Sequence, residues 1–207
     1  MTQLCYRCAL VLAGLLLTAP SALAHHPMGG KTPSTVFEGL LSGLGHPIIG
    51  VDHFIFTLGV GLAAMIAGRL KSLPLFFVGF TIVGALLHVN GFGLPFAELF
   101  ILASVFAVGA FLVVRPNIPA SVWASTFAAA GLFHGYAYGE AIFGSEATPL
   151  LAYLLGFGCI QYAIAVCAGA LTKLLTTSHE TAARIGGGGL IGAAVALSGG
   201  PLAFLVN

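Results

Sequence analysis

Long apolar runs separated by short polar breaks fill most of the chain, and their lengths are those of helices that cross a bilayer. Six such segments follow residue 46, near 47–68, 73–90, 95–114, 118–143, 149–175 and 185–206. A span needs about 20 predominantly apolar residues, and each segment approaches or exceeds that length. Prolines punctuate several starts, where a missing N–H costs little; Pro47 fits the first helical position, with His46 at the boundary. The pattern predicts an all-α membrane protein, a bundle of six transmembrane helices.

Ahead of the bundle, residues 1–24 have the layout of a cleaved secretory signal: Arg7, an apolar stretch from Ala9 to Leu17, then Pro20 and Ala22-Leu23-Ala24. Cys5 and Cys8 would leave with it. Residues 25–46 then form an external N-terminal segment that begins His25-His26, with a linker at 29–34 and a short interfacial helix over "VFEGLLSGLG", 36–45. Residues 47–207 are the transmembrane domain.

Composition agrees. The chain is 58% hydrophobic and 6% charged, against roughly 25% charged in soluble domains, so the lipid bilayer is its first partner. A net charge of +1 without any basic run argues against nucleic acid. The "GGGG" at 186–189 lacks the Lys-Ser/Thr of a phosphate-binding loop, so no nucleotide is expected. Without a nucleophile-elbow serine or an HExxH, no enzymatic activity is expected either. Cys159 and Cys167, eight apart in one segment, read as packing residues. A homo-oligomer is compatible with the glycine-rich faces.

Cleavage would place the mature N-terminus outside a bacterial cytoplasmic membrane. Arg69, Lys71, Arg115, Lys173 and Arg184 then fall in inner connections and only Lys31 outside, as the positive-inside rule asks; the C-terminus is outside as well. On this map His46, Asp52 and His53 lie at the outer start of the first segment. His88 ends the second, Glu98 begins the third, and His134 and Glu140 lie in the outer half of the fourth. Ionisable groups within a membrane are costly and mark function, and these sort to one side.

His46 and His53, seven apart, face the same way on a regular helix, within about 20°. Gly50 lies between them, and Asp52 points about 120° away. Asp52 would therefore orient a histidine on another helix, or the helix would unwind near Gly50. In "GLFHGYAYGE", 131–140, the stripe Gly131, Gly135, Gly139 is a close-packing surface. His134 and Tyr138 share one of its flanks, Tyr136 and Glu140 the other. Imidazole with carboxylate suits borderline divalent ions better than Mg²⁺ or Ca²⁺. His25 and His26, beside a free α-amine, would make an accessory chelate, and His88 and Glu98 are accessory candidates within the bundle.

These residues resemble the HupE/UreJ family of nickel and cobalt permeases. "HPIIGVDH" is similar to the family's first-helix motif, and "FHGYAYGE" to its FHG-x-A-x-G-x-E element, although Glu140 directly follows Gly139 and Tyr138 stands where many members carry another histidine. The resemblance implies metal-handling roles for His46, Asp52, His53, His134 and Glu140. It also implies uptake of nickel or cobalt, with zinc and copper as further candidate ions and no permanently bound cofactor. Two other classes fit some of the residues: a metal-binding sensor or assembly subunit, and a b-type haem protein with His88 and His134 as axial ligands. In the inner half, Gln161, Ser125 and Thr126 read as packing hydrogen bonds rather than an exit path, and His179 as a solvated residue of a connection.

Overall fold

The computed structural model describes residues 31–114 and 118–198. The expected signal, His25, His26 and Arg115 lie outside the described residues. Among the described residues all regular structure is helical: α1 Val36–Ile49, α2 Val51–Ile66, α3 Leu73–Val89, α4 Ala97–Val114, α5 Ala120–Glu140, α6 Ala147–Leu175 and α7 His179–Leu197.

Four of the expected segments become α3, α4, α5 and α6, the first three trimmed by one to five residues in all and α6 starting two residues earlier than expected. The first does not. Thr35 and Glu38 form a reciprocal cap, Glu38 N donating to Thr35 Oγ1 at 3.1 Å and Thr35 N to Glu38 Oε2 at 3.2 Å. This satisfies N–H groups that a helix start leaves open and fixes α1 from residue 36. The helix then runs past the expected 36–45, so Pro47 lies inside its last turn rather than at the first position of a span. Proline cannot donate there, and α1 ends within three residues. Gly50, with φ −70° and ψ 100°, serves as both the C-cap of α1 and the N-cap of α2. The two helices meet at 78°.

The last helix also begins earlier than expected. Ser178 Oγ accepts from Thr181 N at 3.2 Å, so His179 is the exposed first residue of α7, not part of a connection.

By length and apolar composition, α4 and α6 are able to cross a membrane, and α1 with α2 qualifies as one broken span. That is two or three among the described residues, where the pattern predicts six. Large apolar side chains cover the exterior: Leu151, Leu155, Leu174, Leu175 and Ile185 are each at least 60% exposed, a surface suited to lipid rather than water. Cys159 and Cys167 share this exterior, so they are not packing residues.

Glycines bring the helices close. Gly131, Gly135 and Gly139 lie against α3, on Phe77, Thr81 and His88, and Gly84 of α3 lies against Leu132 of α5. Gly39 and Gly43 of α1 abut the carbonyls of Pro149 and Tyr153 on α6. Between α4 and α7, a Cβ built on Gly109 would stand 2.8 Å from the Gly187 carbonyl oxygen. Such contacts suit helices that associate in lipid by packing alone. Two cores result, one around Phe56, Phe77, Trp123 and Phe127, the other around Tyr138, Tyr153 and Phe157. His46, His53 and His134 lie where they meet.

Candidate metal-handling site

His46 comes from the last turn of α1, His53 from the first turn of α2, and His134 from the middle of the C-terminal half of α5. All three are buried, at 1%, 0% and 0% exposure. The break at Gly50 is what places the first two. They no longer share a helix, yet their ring centroids are 6.2 Å apart, because α1 folds back across the start of α2. The Tyr138 ring packs against both, 4.8 Å from His46 and 4.3 Å from His53. Its hydroxyl is buried without a hydrogen-bond partner among the described residues. Such a group is costly in an apolar interior unless something fills the gap.

His53 Nδ1 and His134 Nδ1 are 2.7 Å apart, a hydrogen bond between imidazoles. The other nitrogen of His134, Nε2, is 2.9 Å from Ser104 Oγ on α4. Phe56 and Phe77 pack on the His134 ring with centroids at 4.4 and 5.7 Å and close the site on that side. On the His46 side, Tyr153 of α6 stands with its hydroxyl 2.8 Å from His46 Nδ1. It donates to the Tyr138 carbonyl at 2.9 Å. That carbonyl is one of the last four of α5, which a helix leaves without an internal donor.

Of the remaining candidates Asp52 stays beside the cluster, its Oδ1 and the His53 ring both lying close to Gly50. Asp52 is half-buried in the first turn of α2, where a carboxylate favours a helix N-terminus. Glu140 is exposed at the end of α5, and Glu98 is exposed in the first turn of α4. His88 stacks on Tyr136 and Phe143, at 4.5 and 5.8 Å, away from the three buried histidines. Among the described residues no three side chains of His, Cys, Asp and Glu stand in a ready metal-holding cluster. What is gathered is a set of imidazoles and tyrosines. Gln161 is buried and donates to the Phe157 carbonyl at 3.2 Å and Thr81 Oγ1 at 3.4 Å, as a packing residue would; Ser125 faces outward.

Sequence reasoning singled out neither Tyr153 nor Ser104. The available signal was slight, a polar side chain inside an apolar helix, where a hydrogen-bonding role is common.

The chain matches the family model described as HupE / UreJ protein over residues 13–197. It belongs to the HupE/UreJ family. It is 31% identical over 168 residues to Protein HupE of Rhizobium leguminosarum bv. viciae, a match covering 80% of this chain and 84% of that protein. No solved structure matches. Membership of the HupE/UreJ family, with these apolar helices, identifies a multi-pass membrane protein and is consistent with metal transport.

Gly50 has a defined part in the candidate site of this HupE/UreJ protein. A Cβ built there would stand 2.8 Å from His53 Cδ2, closer than carbon atoms tolerate, while the backbone angles themselves suit alanine. Gly50→Ala is therefore expected to displace the His53 ring without unfolding the bundle. Nickel affinity of the purified variant, measured beside its thermal unfolding, should fall while the unfolding midpoint stays near wild type.

Proposed function

We propose that this protein carries a divalent transition-metal ion, nickel or cobalt first among candidates, inward across the bacterial cytoplasmic membrane. In this reading residues 1–24 are a cleaved signal and the mature chain makes six spans. The first span is α1 and α2 taken together and broken at Gly50. Both termini lie outside, so the histidines open towards the outer face. The ion is cargo, no cofactor stays bound, and no chemical transformation is performed.

The observation that carries the proposal is the convergence of His46, His53 and His134 from three helices, buried around Tyr138 at the break between α1 and α2. Imidazole nitrogen is the ligand that borderline divalent ions accept most readily. A helix break in a membrane is tolerated where it lines a site. Asp52, Glu98 and Glu140 would attract the hydrated cation, and the imidazoles would replace part of its water.

No nucleotide is needed. A divalent ion crossing 100 mV, inside negative, gains roughly 4.6 kcal/mol, from two charges at about 2.3 kcal/mol each. A haem reading fits less well, because both ring nitrogens of His134 are engaged by His53 and Ser104 and His88 stacks elsewhere.

The test is influx of Ni²⁺, Co²⁺, Zn²⁺ and Cu²⁺ into liposomes holding the purified protein. Influx of one or two ions, faster with an inside-negative potential and slowed when it is reversed, is expected. Tight binding with no influx at either potential would make the protein a sensor or assembly subunit instead.

A further inference from the structure

The hydrogen bonds around the three histidines fix which nitrogen of each ring carries the proton. A neutral imidazole has one N–H and one lone pair, and its neighbours decide which is which. Ser104 Oγ has a single hydrogen and lies 2.7 Å from the Ile101 carbonyl oxygen. A carbonyl only accepts, so the serine hydrogen points there. At its other contact, 2.9 Å from His134 Nε2, Ser104 must then accept, and His134 carries its proton on Nε2. Its Nδ1 is left with the lone pair. That atom is 2.7 Å from His53 Nδ1, which must therefore be the donor, leaving the lone pair of His53 on Nε2.

The same reasoning holds on the other branch. The Tyr153 hydroxyl gives its hydrogen to the Tyr138 carbonyl, so at 2.8 Å it accepts from His46 Nδ1. The lone pair of His46 is then also on Nε2. Two independent chains of bonds thus impose the same tautomer on His46 and His53 and the opposite one on His134. One chain ends on the Ile101 carbonyl and the other on the Tyr138 carbonyl.

From this we infer that the cargo is held by Nε2 of His46 and Nε2 of His53, whereas His134, Ser104 and Tyr153 are positioning residues that fix those two lone pairs. Rings that bind metal usually donate their second N–H to an acceptor, and that bond sets tautomer and orientation. Here Tyr153 is the acceptor for His46 and His134 the acceptor for His53, with Ser104 behind it. The inference rests on the proposed metal-handling role of the site, but the tautomers it requires belong to the metal-free protein.

The test reads them there. Nitrogen NMR of the ¹⁵N-histidine-labelled, metal-free protein separates protonated from lone-pair nitrogens, with His46, His53 and His134 assigned by glutamine replacement. His46 and His53 are expected to carry their proton on Nδ1, and His134 on Nε2. Ser104→Ala should mix the tautomers of His134 and His53 and leave His46 unchanged. Tyr153→Phe should disturb His46 and leave His53 unchanged, and Ser104→Thr should restore the wild-type pattern. Nickel affinity should fall by roughly 10–100-fold in Ser104→Ala, the usual loss for a supporting partner, and recover in Ser104→Thr.

A proton on Nε2 of His53 or His46 in the wild type overturns the inference. So does a Ser104→Ala variant that alters His46 and His53 alike, which would mean general loosening. If the tautomers are as expected but no liposome influx occurs, the assignment stands and the transport reading alone falls.

Discussion

Replacing His53 with alanine is expected to abolish nickel or cobalt uptake while the protein still inserts in normal amount. His53 is fully buried, and its ring connects the two halves of the site: it packs on Tyr138, lies 6.2 Å from His46 and bonds to His134. Alanine removes one of two imidazoles proposed to hold the ion and takes from His134 the partner of its Nδ1. The loss should exceed the roughly 10–100-fold that follows removal of a supporting group. His46→Ala should behave alike, and His134→Ala should be the milder of the three. His179→Ala, at the exposed start of α7, should transport as wild type does. Initial influx rates into liposomes, normalised to inserted protein, check this. Wild-type rates in His53→Ala would remove the site from the mechanism.

The second large effect is structural. Gly135→Val should prevent α3 and α5 from closing, because even a Cβ at this position would fall on the Thr81 carbonyl oxygen. That carbonyl is backbone and cannot swing aside. The same helix pair depends on Gly84, Gly131 and Gly139, so separation at one residue loosens the seam. Overpacking typically costs about 1–3 kcal/mol, and this contact is more severe because backbone meets backbone. His134, adjacent in sequence, would lose its place beside Ser104. Folded yield and thermal midpoint in detergent are expected to drop sharply. Gly79→Ala is the control: it lies on α3 of the same helix pair, but a Cβ there meets nothing within 4 Å. If Gly135→Val folds like Gly79→Ala, the seam does not hold the bundle as described.

The helices α3 to α6 were legible in the sequence as apolar runs between polar breaks, and α4 and α6 among them are long and apolar enough to cross a membrane. Every backbone group in a span must bond within its own helix, so an apolar run between polar breaks has one available conformation. The glycine stripe 131–135–139 was legible for a related reason, since close approach requires the smallest residue, and it faces α3 as a stripe should.

The break at Gly50 was less so. Residues 36–45 read as a short interfacial helix and Pro47 as the start of a span, with unwinding near Gly50 as one of two ways to place Asp52. Thr35 and Glu38 carry the spacing of a reciprocal cap, which places the helix start at 36 and leaves Pro47 inside it. His46 and His53 were expected together because seven residues nearly complete two turns. They do meet, but through a bend of 78° rather than along one face.

The supporting atoms were the least legible. Tyr153 finds its acceptor on the end of α5, and Ser104 of α4 finds the His134 ring on α5, contacts set by tertiary approach. Glu140 closes α5 and Glu98 lies in the first turn of α4. Their exposure follows from lying at a helix end and in a first turn, which a depth map does not resolve.

The most direct measurement is nickel binding by the purified protein beside a His46→Ala/His53→Ala double variant, by equilibrium dialysis with a metal-edge X-ray absorption spectrum of the bound ion. One ion per chain in the wild type, with imidazole nitrogen among its ligands, and none in the folded double variant, is the predicted result. Equal binding by both proteins would contradict it, and would place the ion at the exposed carboxylates or the N-terminal histidines instead of at the break between α1 and α2.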